Sequence, residues 1–155
     1  GKPGGADYID LWVGRDNAGV DVNVSEQFGW INDYCKENGI ELICVTSPIA
    51  PAAMQKLGMG KVHDTLQKAF DELGLKYYDF NKALMSFVPR DDIHYGDLEG
   101  HMGGALGNTY SEALAKLLKD GEIQESDYFY ASFDEMYQTM KSDYTKATGL
   151  EWEGY

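Results

Sequence analysis

Hydrophobic and polar positions along the chain predict strands and helices in alternation. Residues 8–13 (YIDLWV) form an apolar run that ends in a turn-rich loop, as expected of a strand. Residues 41–47 (ELICVTS) are almost continuously apolar or β-branched, a pattern typical of strands buried on both faces of a parallel sheet. Residues 76–79 (KYYD) predict a short third strand.

Helical periodicity separates these strands. Helices are predicted over residues 25–38, 62–73, 104–119 and 133–141. Ser25 can cap the first helix, while Gly39 and Gly74 follow the last periodic residues of the first and second. We expect a loop where two prolines occur (SPIAPAAM), a turn or short helix over 81–87, a polar loop over 88–100 and a peripheral tail (GLEWEGY).

This alternation predicts an α/β fold, with parallel strands joined by right-handed crossovers and helices on both faces of a thin, three-stranded sheet. The loops over residues 14–19, 47–53 and 80–100 follow the three strands. They should therefore meet at the carboxyl edge of the sheet, where such folds bind their ligands.

The chain has 155 residues, which fits one domain with a core over about residues 7–120 and a helical extension over about 121–155. No apolar run reaches the roughly 18 residues that span a bilayer, and the first residues do not resemble a signal peptide. The net charge of −13 argues against nucleic-acid and membrane-surface partners. We expect the acidic stretch after residue 120 to be a solvated face, with an interaction tail as the alternative.

Neither a cofactor nor a metal is expected, because Cys35 and Cys44 lack metal-binding spacing. Buried thiols are the default for these two residues, and a disulfide between them stays open as an alternative if the helix packs on the strand that follows it.

Two of the three histidines lie in the polar loop at the predicted ligand edge. His63, in contrast, is expected to face solvent from a helix. Asp97 precedes His101 by four residues and Asp91 precedes His94 by three, so either pair could join a general base to a carboxylate that orients it. Ordinary loop polarity is the alternative for both.

The segment DLEGHMGGALGNTYSEALAKLL, residues 97–118, resembles the last conserved block of SGNH (GDSL-type) hydrolases. In that block an Asp and a His precede a small-residue turn and a helix with an aromatic residue nine positions after the His, here Tyr110. NGIELICVTSP and LGLKYYDFN resemble the preceding units of extracellular bacterial members, so the resemblance covers roughly residues 7–118. It implies a three-layer, flavodoxin-like sheet, of which this chain would supply about three strands.

The resemblance also implies an esterase or O-acyltransferase that acts on ester-linked acyl groups, with a small-molecule or carbohydrate ester as substrate. His101 would be the general base, Asp97 its orienting carboxylate and Asn17 an oxyanion donor, with Asp91 and His94 as the alternative pair. An extracellular or cell-envelope location follows from the same resemblance, while a cytoplasmic one stays open.

The chain departs from the family at the nucleophile. The N-terminal Gly-Asp-Ser motif is absent. Ser47 ends a predicted strand, but Pro48 follows it and has no N–H to stabilise an oxyanion. Asp97 lies four residues before the His instead of the family's three. We therefore expect the 155 residues alone to be inactive.

Three hypotheses follow. The chain could belong to a longer enzyme whose Ser lies upstream. It could be a non-catalytic module that binds a carbohydrate-like or peptide ligand, in which case His101 should not be hydrogen-bonded to a carboxylate. It could also assemble through the open edge of the strand over residues 8–13, either as a homo-oligomer or with a missing N-terminal segment.

Overall fold

The computed structural model describes residues 24–97, 100–121 and 123–154. Within these ranges the elements are α1 (Val24–Glu37), β1 (Ile43–Thr46), α2 (Pro51–Leu57), α3 (Met59–Leu73), β2 (Lys76–Asp79), α4 (Gly104–Asp120) and α5 (Phe133–Thr148). Short 3-10 turns cover Phe80–Lys82, Asp92–His94 and Glu125–Asp127. None of the described helices combines the length and apolar character of a membrane span. The predicted strand over 8–13 and loop over 14–19 lie outside the described residues.

The described sheet consists of β1 and β2, which pair in parallel with Cys44 opposite Tyr77. The predicted mixed α/β character and the parallel pairing are therefore confirmed. Element bounds agree closely for α1, β2 and α4, whereas β1 is shorter than predicted and α5 continues well beyond residue 141.

The segment between β1 and α3 was expected to be a loop, and this prediction is wrong. Pro51 begins α2, and Gly58, in the left-handed conformation at φ 64°, ends it. Proline is well tolerated at the first helical position because the N–H that it lacks would have no intrahelical partner there. α3 then begins directly, at Met59 instead of residue 62.

One face of the sheet is covered by α1 and α3. Cys44 and Tyr77 pack with Phe70 and Leu75, and the Phe28 ring meets Phe70 edge-on at 4.9 Å. Burial of these side chains removes apolar surface from water and provides most of the stability of such a layer.

Both cysteines are buried and free. The default prediction for Cys35 and Cys44 therefore holds, and the alternative disulfide between them is absent.

Two further apolar clusters lie around the segment that follows β2. Tyr78 stacks on Phe129 with ring centroids 6.0 Å apart and an interplanar angle of 7°. The first cluster joins this region to α2 and α4 through Ala53, Phe80, Val88, Leu106 and Leu117. The second joins α2 to α5 through Met54, Met85, Met136, Met140 and Tyr144. α5 is thereby part of the core.

The C-terminal tail was expected to be peripheral, and this expectation is also wrong. The Trp152 ring packs edge-on against Tyr144 at 5.7 Å. The Glu153 N–H donates to Oδ2 of Asp91 at 2.6 Å, and Asp91 is fully buried. Residues 152–154 therefore close over the polar loop that follows Val88.

Candidate functional site

The loops that follow β1 and β2 meet at the carboxyl edge of the sheet, as predicted. The Ile49 N–H donates to Oδ1 of Asn81 at 2.9 Å, and the Ala52 N–H donates to Oδ1 of Asp92 at 2.8 Å. Asn81 and Asp92 are both fully buried. These bonds satisfy backbone groups that the fold removes from water, and they fix the two loops relative to each other.

A fully buried arginine organises the second of these loops. The Arg90 guanidinium donates to the carbonyl oxygens of Ala83 at 2.8 Å, Val88 at 3.0 Å and Asn81 at 2.6 Å. Burial lowers the pKa of Arg90, and the negative potential of the surrounding side chains opposes this shift. Because one planar group ties three carbonyls together, residues 81–90 form a fixed platform. Sequence reasoning missed this role.

His101 and Asp97 are in contact. Nδ1 of His101 lies 2.5 Å from Oδ2 of Asp97, and the His101 N–H donates to Oδ1 of the same carboxylate at 3.3 Å. The Asp97 side chain is 29% exposed, whereas the imidazole is 77% exposed. An ionised carboxylate only accepts hydrogen bonds, so Nδ1 carries the hydrogen and Nε2 is the basic nitrogen of the neutral ring.

The loop that carries this pair is held by a narrow hairpin. Tyr95 and Met102 form an antiparallel bridge, and the Gly96 N–H donates to the His101 carbonyl at 2.8 Å. Gly100, at φ 109°, packs so closely against Ile49 that a Cβ would lie 2.7 Å from its Cγ2. The His101 loop therefore lies against the loop that follows β1, at the carboxyl edge.

The alternative pair has a different arrangement. Nδ1 of His94 accepts the backbone N–H of Asp91 at 2.9 Å, and no hydrogen bond joins the imidazole to the Asp91 carboxylate. Oδ2 of that carboxylate instead accepts the Glu153 N–H. The accepting Nδ1 leaves the hydrogen on Nε2, which is the opposite tautomer to that of an oriented base. The pair closes a turn.

His63 does not face solvent, contrary to the sequence prediction. Its Nδ1 lies 3.0 Å from Oδ2 of Asp79, and the side chains of His63 and Asp79 are 14% and 2% exposed. α3 runs back along the sheet before β2 begins, so the start of this helix lies beside the carboxyl end of the next strand. The strand–helix–strand order of the sequence implies this return of the helix along the sheet. It was the signal that could have placed His63 near Asp79.

Asn17, the predicted oxyanion donor, lies outside the described residues. Among the residues that are described, no group of three or more His, Cys, Asp or Glu side chains could hold a metal ion. The exposed Glu125, Asp127, Asp134 and Glu135 agree with the predicted acidic, solvated face.

Comparisons of the chain with protein-family models, with curated proteins and with solved structures found no match. The chemistry of the site is therefore inferred from the residues and their geometry.

Proposed function

We propose that the chain is an SGNH hydrolase-like domain of an esterase or O-acyltransferase that acts on ester-linked acyl groups. His101 is the general base and Asp97 the carboxylate that orients it. The observation that carries the proposal is the 2.5 Å contact between His101 Nδ1 and Asp97 Oδ2. A non-catalytic binding module would not require this contact, so the contact favours the catalytic alternative.

The chemistry follows from the tautomer. Asp97 keeps the hydrogen on Nδ1, so Nε2 of His101 can take the hydroxyl proton of a serine as its oxygen attacks the ester carbonyl. The same nitrogen returns the proton to the alcohol that leaves, and an acyl-serine forms. Water or an acceptor hydroxyl, deprotonated in turn by His101, attacks the acyl-serine. The acyl group leaves on that oxygen, and His101 returns the proton to the serine oxygen.

The nucleophilic serine of this proposal lies outside the chain. Ser47 is exposed directly after β1, but Pro48 lacks the N–H that an oxyanion hole needs. The imidazole is 77% exposed, so a serine from a further segment could approach its Nε2. Asn17 remains the proposed oxyanion donor.

The proposed fold is the three-layer sheet of this family, in which the strand over residues 8–13 joins the described pair. In the strand order 2-1-3-4-5, β1 and β2 would be strands 4 and 5. The direct parallel pairing of β1 with β2 supports this order. A substrate carrying a carbohydrate ester and an extracellular or envelope location belong to the same proposal.

The catalytic proposal can be tested by activity. The 155-residue chain and a longer product that includes the upstream coding sequence would be assayed with p-nitrophenyl acetate and labelled with a fluorophosphonate probe. We expect turnover from the longer product alone. His101→Ala should lower its kcat/KM by at least about 10²-fold, and Asp97→Asn by at least about tenfold.

Asp127→Asn, which removes an exposed carboxylate elsewhere, is the matched control and should leave turnover unchanged. Unchanged turnover in His101→Ala would exclude the proposed base. Turnover by the 155-residue chain that is lost in His101→Ala would place the nucleophile within it, and Ser47→Ala would then be tested first.

Assembly through an exposed face is the second candidate function. Trp30, Tyr34 and Ile40 are 80%, 63% and 52% exposed, a set of large apolar side chains on and directly after α1. Large exposed apolar surfaces commonly mark interaction sites. Light scattering on a size-exclusion column should then give a mass above 17.3 kDa, and Trp30→Ser should reduce it. A strict monomer at high concentration would exclude self-assembly.

A further inference from the structure

A cavity of about 250 Å³ opens beside His63, and none of the described residues of the His101 loop lines it. Its wall includes the imidazole of His63, the Lys82 side chain, Ser132, which caps α5, and the first two residues of α5, Phe133 and Asp134. A smaller crevice of about 20 Å³ adjoins it and shares His63 and Lys82. Two polar side chains from different elements therefore converge on one open cavity.

The Asp79 carboxylate fixes the orientation of His63. Since Nδ1 bonds the nearly inaccessible Asp79, it carries the hydrogen, and Nε2 is left as an acceptor for a ligand. The Phe133 ring lies 5.7 Å from the imidazole, centroid to centroid, and adds an apolar surface beside this acceptor. His63 is thus a positioned hydrogen-bond partner with restricted rotation.

Lys82 supplies a donor. Its side chain is half-buried, and in the described part of the chain its ammonium forms no hydrogen bond or ion pair. Ser132 adds a hydroxyl, whose oxygen accepts the Glu135 N–H at 3.1 Å and whose hydrogen can be donated. The cavity therefore offers acceptors and donors side by side.

The charges around the cavity limit the class of ligand. Asp64 and Asp134 are exposed and line the same wall, and the whole chain carries a net charge of −13, so an anion is repelled. The Lys82 ammonium in the wall partly offsets the attraction that these carboxylates exert on a cation. A neutral ligand avoids charge repulsion. If it carries several hydroxyl groups, each of them can both donate to and accept from the polar side chains of the wall.

We propose that the cavity at His63, Asp79 and Lys82 binds a small neutral polyhydroxylated ligand of monosaccharide size. Pockets for drug-sized ligands begin at roughly 300 Å³. The cavity, at about 250 Å³, is somewhat smaller and therefore has room for one sugar ring. Lys82 and His63 Nε2 bond hydroxyl groups, and the apolar face of the ring packs on Phe133. This site is separate from His101 and does not depend on the proposed acyl transfer.

Nuclear magnetic resonance titration of the full chain tests the proposal. D-glucose, D-galactose and N-acetyl-D-glucosamine would each be added up to about 50 mM, which suffices for the weak affinity expected of so small a ligand. At least one sugar should cause saturable shifts of the Gly60, Ser132 and Phe133 amide signals. Lys82→Met should weaken this binding by roughly tenfold, whereas Lys82→Arg should largely retain it.

Lys119→Met, at an exposed lysine of α4 remote from the cavity wall, is the matched control and should bind as the unmodified chain does. Sodium acetate and ethylammonium chloride at equal ionic strength report on anion and cation binding. Absence of saturable shifts with all three sugars would overturn the proposal. So would equal sugar affinity in Lys82→Met, or saturable acetate binding that Lys82→Met abolishes.

Discussion

Nδ1 of His63 lies 3.0 Å from Oδ2 of Asp79, and this contact joins the start of α3 to the carboxyl end of β2. The other oxygen of Asp79 accepts the Asn81 N–H at 3.0 Å, which closes the turn that leaves the strand. One buried carboxylate thus satisfies two donors from two elements. Its removal would leave both donors without their partner.

We therefore expect Asp79→Ala to destabilise the protein. Two lost hydrogen bonds at a site of low exposure should lower the free energy of unfolding by about 2–4 kcal/mol. Urea unfolding followed by circular dichroism measures this change. Asp33→Ala removes an exposed carboxylate from α1 and should change it by less than about 0.5 kcal/mol. Equal effects of the two substitutions would contradict the structural role of Asp79.

Gly154→Ala should release the C-terminal tail. A Cβ at this position would overlap Oδ1 of Asp91 and Oδ2 of Asp92, and both carboxylates are fully buried. Such overpacking typically costs about 1–3 kcal/mol of unfolding free energy. Thermal unfolding of the variant should show a lower Tm. In a separate digestion, trypsin should cleave the variant faster after Lys141 or Lys146.

Gly107→Ala serves as the control for this substitution. A Cβ there meets no atom within 4 Å, and alanine favours the α4 helix in which Gly107 lies. Its Tm should equal or exceed that of the unmodified chain. A Gly154→Ala variant that matches the unmodified Tm would mean that the tail is not held as described.

Alkaline pH should destabilise the fold partly through Tyr130. Burial, together with the hydrogen bond and charge of Asp143, raises the pKa of Tyr130 to about 12. The unfolded phenol titrates near 10, so the folded state holds the proton more tightly. The resulting stabilisation is complete below pH of about 10 and is lost as the pH rises through 12.

Urea unfolding between pH 9 and 12 tests the sign of this effect. Tyr130→Phe should flatten the fall in unfolding free energy over this range, whereas Tyr34→Phe, at a residue 63% exposed, should not alter it. Burial also raises the pKa of Tyr137 to about 12. It raises the pKa of further phenols as well, so together with Tyr137 these would account for the residual slope: Tyr77, Tyr95, Tyr110 and Tyr144. An unchanged slope in Tyr130→Phe would contradict the prediction.

Both cysteines should react slowly in the native state. Cys35 and Cys44 are buried and free, and burial raises the pKa of the Cys44 thiol, which lowers its thiolate fraction at neutral pH. Ellman's reagent should therefore release two equivalents only after denaturant is added, without a prior reductant. A requirement for reductant would mean that the two residues are bonded.

Local signals in the sequence predicted β2 at its observed bounds and α4 to within one residue at its end. Gly74 and the short KYYD segment delimit the strand, and the periodicity after Gly103 delimits the helix. The contact of Asp97 with His101 could also be anticipated, because the two residues lie only four positions apart in one loop. Sequence spacing is sufficient to predict a contact when both residues lie in the same loop.

Contacts between distant segments could not be predicted in this way. His63 meets Asp79 only because α3 runs back along β2, and the helix pattern alone suggested a solvated residue. Pro51 was interpreted as part of a loop, although proline also begins helices. Nothing local in the GLEWEGY tail indicated that a buried carboxylate 62 residues earlier would accept the Glu153 N–H.

The tail contact has a consequence for how the protein folds during synthesis. Asp91 is made early, but the Glu153 N–H that satisfies its Oδ2 leaves the ribosome only after α4 and α5 are complete. Until then the loop between β2 and α4 carries a carboxylate that is costly to bury. Residues 91–97 should therefore acquire their final conformation late, after the sheet and its covering helices have formed.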